Sequence, residues 1–242
     1  MTSSQRVVFI TGGSRGIGKA LVDRFKAENW LVATCGTHEG PLKKSQADIK
    51  LILDVAQPDA VKSGIQTILN QFNKIDVLIN NAGLSGSNSL DPESSDDLWH
   101  RILDVNLHGT YYMCKYASPH LPDHSGRIIN IASVLGLRGV PDATAYCAAK
   151  HGVIGLTRSL AHALAPRKIS VNAVCPGWVK TEMAQDRMKE IGITEKNLET
   201  SVPVGRFIEP SEIADFIYYL SSSPGAAVIT GQALTIDGGT LA

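Results

Sequence analysis

The sequence predicts an α/β fold, a single domain built on a doubly wound, seven-stranded parallel sheet. Three observations predict it. Apolar runs of four to six residues recur along the 242-residue chain, each followed by a longer segment with helical spacing, as parallel strands with crossover helices require. Many of the 22 glycines stand immediately after those runs, where strands would turn into helices. No repeat, low-complexity tract or linker divides the chain, and at this length one core can bury roughly three quarters of the unfolded surface.

Taken in order, the first strand is Val7–Thr11, which enters a glycine cluster and then a helix over Gly16–Glu28 with Ala20, Leu21 and Phe25 on one face. Strands Leu31–Cys35 and Ile49–Asp54 follow. A helix over Pro58–Gln71 carries Val61, Ile65, Ile68 and Leu69 at similar spacing and leads to strand Val77–Asn80. The helices over Ser94–Tyr116 and Tyr146–Ala165, on either side of strand Arg127–Ala132, are the longest and most apolar. Such helices either sit deep between sheet and neighbours or bury a face against another subunit. Strands Ser170–Cys175 and Ala233–Ile236 complete the sheet. The least regular stretches are Ser85–Ser95, with five serines and Pro92, and Thr181–Pro203. Both follow strands, and ligands bind beyond the carboxyl ends of strands in an open parallel sheet, so both are candidate walls of a site.

Composition excludes several function classes. With 23 Lys+Arg against 23 Asp+Glu the net charge is zero and no basic stripe appears, so phosphate neutralisation on nucleic acid is not expected. Cys35, Cys114, Cys147 and Cys175 form no C-x-x-C pair and have no His at ligand spacing, which reads as reduced thiols, no metal and a cytoplasmic protein. Met1–Arg6 leads into only four apolar residues, too few for a signal peptide, and no run approaches the roughly 18 a membrane span needs.

After the first strand comes Thr11-Gly12-Gly13-Ser14-Arg15-Gly16-Ile17-Gly18, and then a helical pattern. Glycines here allow a tight turn and close backbone approach to a pyrophosphate, and the helix N-terminus presents free N–H groups to phosphates. The spacing is G-x-x-x-G-x-G. Further along come Asp54, Asn80-Asn81-Ala82-Gly83, Asn106, Ser133, Tyr146 with Lys150, and Pro176-Gly177. In this order the residues resemble the short-chain dehydrogenases/reductases, and the resemblance covers nearly the whole chain. It implies a Rossmann-type domain that binds a nicotinamide cofactor.

By that resemblance Gly12, Ser14, Arg15, Gly16, Ile17 and Gly18 cradle the cofactor. Asp54 would accept from the adenine amino group with the Val55 backbone beside it, although it could instead cap a helix. Asn81, Ala82 and Gly83 would line the adenosine and ribose side, and Asn81 could also tie strands together. Pro176, Gly177 and Val179 would flank the nicotinamide, and Thr181 would meet its carboxamide or a phosphate. The second strand ends Thr34-Cys35-Gly36-Thr37, with no acid where one would repel a 2′-phosphate, and Thr37 is expected to contact the cofactor. Arg15 resembles the basic residue of NADP-preferring members, so NADP (NADPH) is favoured over NAD. Against it, the Arg often found after this strand is Gly36 or Thr37 here, and Glu39 lies nearby.

Two Y-x-x-x-K pairs occur, Tyr111/Lys115 and Tyr146/Lys150, and each shares a helix face. Tyr146 lies 13 residues after Ser133, at the ligand-binding edge of the sheet, whereas Tyr111/Lys115 has no such partner and reads as packing. Free tyrosine titrates near 10; Lys150 and an oxidised nicotinamide would both lower Tyr146 toward the working range. Tyr146 is then the general acid/base, with Lys150 tuning it and holding the ribose and Ser133 bonding the substrate oxygen; the family resemblance implies that Asn106 holds a water for proton resupply. His108 and His151 match no role in the family.

The segments Asn172–Met183, Val202–Ser211 and Gln232–Gly239, with Trp99, resemble 3-oxoacyl-thioester and polyketide ketoreductases. That implies a ketone or acyl-thioester substrate. An acyl carrier protein is a possible partner through Arg167 and Lys168, although Pro122-Asp123-His124 lacks the other basic residue expected. Thr181–Pro203 is expected to be a substrate lid, with Trp178, Met183 and Met188 as apolar wall, and a homotetramer is expected. An NAD-dependent alcohol or hydroxy-acid dehydrogenase and a non-catalytic nucleotide-binding protein are the competing readings.

Overall fold

A computed structural model describes residues 5–88 and 90–242. Residues 1–4, part of the N-terminus weighed above as a signal segment, and Ser89, within the irregular Ser85–Ser95 stretch, lie outside the described residues. The strands are β1 (Val7–Thr11), β2 (Leu31–Gly36), β3 (Ile49–Ile52), β4 (Val77–Asn80), β5 (Arg127–Ile131), β6 (Ser170–Pro176) and β7 (Ala233–Ile236). They form one sheet in the order β3-β2-β1-β4-β5-β6-β7, every pair parallel. Strand order reverses between β1 and β4, and the crevice there opens beyond the carboxyl ends of both. Asp54 falls two residues past β3 rather than at its end, because pairing with β2 stops at Gly36↔Ile52.

Alternate residues of each strand enter opposite cores. Val7 and Phe9 join Val61, Ile65 and Ile68 on one face, while Val8 and Ile10 join Leu21, Val22 and Phe25 on the other. The first face is covered by α3 (Pro58–Phe72) and by a long helix in three parts: α4 (Asp97–Leu103), a π turn (Asp104–His108) and α5 (Gly109–Ala117). The sequence predicts that helix as regular; the π turn is the difference. α6 (Thr144–Leu164) lies beside it. The second face is covered by α1 (Gly16–Ala27) and α9 (Pro210–Ser222).

α9 is a helix the sequence reading omits. Its signals are local: Pro210 in the first turn, a capping box between Glu209 and Glu212, and Ile213, Ala214, Ile217 and Leu220 buried on one stripe. A short α2 (Glu39–Lys43) follows β2, and the stretch read as irregular contains α7 (Glu182–Glu190) and α8 (Glu195–Ser201).

A buried polar ladder fixes α6 to the sheet. Asn80 and Asn130 are in register on β4 and β5; Asn80 Nδ2 donates to Asn130 Oδ1 at 2.8 Å, and Asn130 Nδ2 donates to Thr157 Oγ1 at 2.9 Å. Such a network holds one helix position, because slipping it would leave buried amides unpaired. All four cysteines are buried and unpaired, and burial pushes the Cys35 and Cys114 thiols up to about 12. Among the described residues no helix is long and apolar enough to cross a membrane.

Candidate active site

β1 ends in a turn that only glycine fits. Gly12 and Gly16 have φ of +70° and +52°, and a Cβ on Gly18 would stand 2.1 Å from the Gly12 carbonyl oxygen. The turn is tied to β4: Thr11 Oγ1 accepts the N–H groups of Asn81 and Ala82 at 2.9 Å, and Asn81 Nδ2 donates to the carbonyls of Thr11 and Gly12 at 2.9 and 3.1 Å. Asn81 thus ties strands together. Arg15, extended at the N-cap of α1, gives no side-chain cap, so the first-turn N–H groups face the crevice.

The crevice is a cleft of about 700 Å³ lined by this turn, by residues that follow β2, β3, β4, β5 and β6, and by α7. Every residue expected to bind the cofactor lines it: Gly12, Ser14–Gly18, Thr37, Asp54, Val55, Asn81–Gly83, Tyr146, Lys150, Pro176, Gly177, Val179 and Thr181. A backbone cradle closed to any Cβ, beside a helix N-terminus, fits a dinucleotide pyrophosphate. Asp54, however, is engaged within the chain. Its Oδ1 accepts the Ala56 N–H at 3.0 Å and its Oδ2 accepts from Arg101 Nη2 at 2.8 Å. Glu39 is taken up by Lys43 at 2.9 Å, and Arg15 Nη1 lies 3.3 Å from Glu182 Oε2. His38, which the sequence reading passed over, lines the same rim and bonds Thr37 Oγ1 through Nδ1 at 2.8 Å.

Ser133 follows β5 and lines the same cleft, with Oγ accepting the Leu135 N–H at 3.1 Å. Tyr146 is in the first turn of α6 and Lys150 one turn later. Asn88 fixes that turn, accepting the Ala145 N–H at 3.0 Å and donating to Thr144 Oγ1 at 2.6 Å. Lys150 Nζ donates to the Ile131 carbonyl at 2.7 Å and sits 5.5 Å from the centroid of the Tyr146 ring. Ser133, Tyr146 and Lys150 therefore meet at the cleft wall.

The expected lowering of Tyr146 does not come from the chain. Burial pushes its phenol up to about 12, opposed by the Ser133 hydroxyl, and burial pulls Lys150 down to about 8. Removing either group from water disfavours its charged form.

Asn106 lies in the π turn, buried and outside the cleft lining. Its Oδ1 accepts the Leu84 N–H and its Nδ2 donates to the Leu84 carbonyl, both at 2.8 Å. The Asn106 side chain is thus committed to the loop after β4. Gly83 runs between it and the lysine: a Cβ there would be 3.0 Å from Asn106 Oδ1 and 3.8 Å from Lys150 Nζ.

Pro176 and Gly177 close the β6 end, where a Gly177 Cβ would be 2.9 Å from Asp237 Cα. Thr181 Oγ1 caps α7 by accepting the Ala184 N–H at 3.2 Å. From α7 Met183 and Arg187 face the cleft, as does Trp178 before it, but Met188 instead lies with Phe207 in a separate crevice. Arg187, with a side chain 13% exposed, pairs with Asp142 at 2.5 Å and Glu190 at 3.1 Å and donates to Ser87. It joins α7 to the loops after β4 and before α6, and no local sequence signal announces it.

Other sequence candidates resolve by contact. Arg167 is spent internally, on Asp123 at 2.7 Å and on the carbonyls of Ser118 and Leu121 at 2.7 and 2.6 Å, and so does not stand free for a carrier. Lys115 packs its ammonium 5.8 Å over the Tyr111 ring, away from the cleft. His108 bonds Asp104 and His151 bonds the Cys147 carbonyl, both at 2.9 Å.

A doubly wound parallel sheet with a glycine cradle at the switch point and a Ser–Tyr–Lys cluster in the same cleft defines a nucleotide-cofactor oxidoreductase. A family model described as enoyl-(acyl carrier protein) reductase matches residues 12–240. The 3-oxoacyl-[acyl-carrier-protein] reductase of Synechocystis is 36% identical over 244 residues, covering 97% of this chain and 96% of the relative. Aldohexose dehydrogenase of Thermoplasma acidophilum, solved ligand-free, superposes with a TM-score of 0.90 at 35% identity, over 98% of this chain and 94% of that one. A variant of actinorhodin polyketide ketoreductase solved with NADPH gives 0.90 at 33%, over 99% and 98%. The chain belongs to the short-chain dehydrogenase/reductase family, and is an oxidoreductase acting between ketone and alcohol with a nicotinamide cofactor.

Proposed function

We propose that the protein is an NADP(H)-dependent ketoreductase that reduces a 3-oxoacyl thioester or similar ketone to a secondary alcohol. One observation carries the reading: Ser133, Tyr146 and Lys150 line the same cleft as the glycine turn. The nicotinamide, when bound, supplies hydride to the carbonyl carbon. Tyr146 gives its phenolic proton to the carbonyl oxygen, and Ser133 donates a hydrogen bond to that oxygen as charge gathers on it. Lys150 holds the ribose and stabilises the resulting tyrosinate, which regains its proton from solvent. Asn106 acts through the loop it anchors, by setting Gly83 against Lys150.

NADP is favoured because Arg15, Thr37 and His38 line the adenosine rim and Glu39 is engaged by Lys43. The relatives named above include a 3-oxoacyl reductase and an NADPH-bound ketoreductase, and both support a thioester or polyketide-like ketone. Arg167's internal bonds favour a coenzyme A or pantetheine thioester over a docked carrier protein. The aldohexose dehydrogenase likeness keeps an NAD-dependent dehydrogenase as second reading. Residues 181–203 act as the lid, latched by Arg187. The exposed side of α6 presents small residues, Ala148, Gly155 and Ala163, that would let a neighbouring helix approach, which supports a homotetramer. Its place is the cytoplasm.

The test is oxidation of NADPH and of NADH, followed by absorbance, with acetoacetyl-CoA, a carrier-bound 3-oxoacyl mimic and simple ketones. Tyr146→Phe should lower kcat by about 10²–10⁴-fold with cofactor affinity retained, whereas Tyr111→Phe should be silent. Equal turnover by wild type and Tyr146→Phe would sink the assignment.

A further inference from the structure

We infer that Glu182 sets cofactor preference by competing with a 2′-phosphate for Arg15, an inference that rests on the NADP(H) reading above. Arg15 Nη1 donates to Glu182 Oε2 at 3.3 Å, and both side chains line the cleft rim, 67% and 66% exposed. Arg15 precedes α1 and Glu182 opens α7. Between them a Cβ on Gly16 would stand 3.2 Å from Thr181 Cγ2, so this ion pair closes the seam between the glycine turn and the lid helix. The neighbouring carboxylates are already engaged, Asp54 by Arg101 and Glu39 by Lys43.

One guanidinium cannot present its donor fork to the lid carboxylate and to a phosphate at once. A phosphate monoester carries close to two negative charges at neutral pH and outcompetes an exposed monoanionic carboxylate. NADP(H) therefore draws Arg15 off Glu182 and frees the first turn of α7, while NAD(H), lacking the phosphate, leaves the turn pinned. Glu182 is a specificity-determining residue that weakens binding of the phosphorylated cofactor and leaves the other untouched. Exposed pairs are weak, so the competition should amount to about a two- to five-fold change in affinity.

Calorimetry with adenosine 2′,5′-bisphosphate and with 5′-AMP, on the full chain, separates the steps. Glu182→Gln should tighten the bisphosphate about two- to five-fold and leave 5′-AMP unchanged; in an Arg15→Ala background it should change neither. Trypsin should cut wild-type α7, at Arg187 and Lys189, faster with bisphosphate than with 5′-AMP, and should cut Glu182→Gln equally with both. If Arg15→Ala weakens the bisphosphate while Glu182→Gln alters nothing, the competition is overturned and the NADP(H) reading stands. If Arg15→Ala leaves bisphosphate affinity unchanged, the phosphate site at Arg15 is wrong and the competition falls with it.

Discussion

Asn106→Ala is the perturbation whose cost can be worked most directly from the structure. The side chain is 1% exposed and spends both ends of its carboxamide on the backbone of Leu84, at 2.8 Å each. Truncation leaves the Leu84 N–H and carbonyl without these partners; both bonds are part-buried, so each is worth about 1–1.5 kcal/mol. For two such bonds a loss of about 2–3 kcal/mol is expected, which lowers Tm by about 4–12 °C in a domain of this size. Activity should fall as well, because release of Leu84 lets Gly83 move from its place between Asn106 and Lys150. Calorimetric unfolding gives the first quantity, and kcat measured well below the variant's Tm gives the second. Asn106→Asp can still accept the Leu84 N–H and should recover part of both. A variant with wild-type Tm and lost turnover would refute this account and return Asn106 to a role in proton supply alone.

Asp142→Asn removes a charged partner of Arg187 and should speed amide exchange across α7, by about tenfold, while raising substrate KM more than it lowers kcat; unaltered exchange in hydrogen–deuterium mass spectrometry would show that the latch lies elsewhere. Arg167→Ala should destabilise the protein by about 2 kcal/mol through its lost bonds to Ser118 and Leu121, with no change in the KM ratio of carrier-bound to pantetheine substrates. A selective rise for the carrier-bound substrate would reinstate Arg167 as a docking residue. For pH, Tyr146 near 12 keeps its proton through the alkaline range, while Lys150 near 8 loses its charge; ketone reduction should therefore decline as pH rises through about 8, and a flat kcat/KM profile there would contradict it.

What could be read from the sequence was what the backbone itself demands. The turn at Gly12–Gly18 needs positive φ and absent side chains, so it appears as glycines at fixed spacing, and Ser133, Tyr146 and Lys150 follow from strand end and helix period. α9 is equally legible, in its capping box and apolar stripe. The π turn at Asp104–His108, where Asn106 is buried, is not legible, because no Pro or Gly marks it from within. Least legible were the ion pairs that redirect expected roles. Arg101 reaches Asp54 across 47 positions, Arg187 reaches Asp142 across 45, and Arg167 reaches Asp123 across 44. Only the folded chain brings these together, so Asp54 and Arg167 looked freer in the sequence than they are.

The shifts at Tyr146 and Lys150 bear on the direction of the reaction. Burial raises one and lowers the other, yet in both cases it favours the uncharged form. A neutral phenol can give a proton to a carbonyl oxygen but is a poor acceptor of one from an alcohol. The chain's own electrostatics therefore suit reduction near neutral pH. Oxidation needs tyrosinate, which burial opposes and Ser133 only partly restores. The positive charge of an oxidised nicotinamide would act in the same sense as Ser133, so alcohol oxidation should accelerate only at a more alkaline pH than the limb near 8 on which ketone reduction slows. Two limbs separated in pH, measured on one preparation, would tie reduction to Lys150 and oxidation to Tyr146, and a single shared limb would contradict that division.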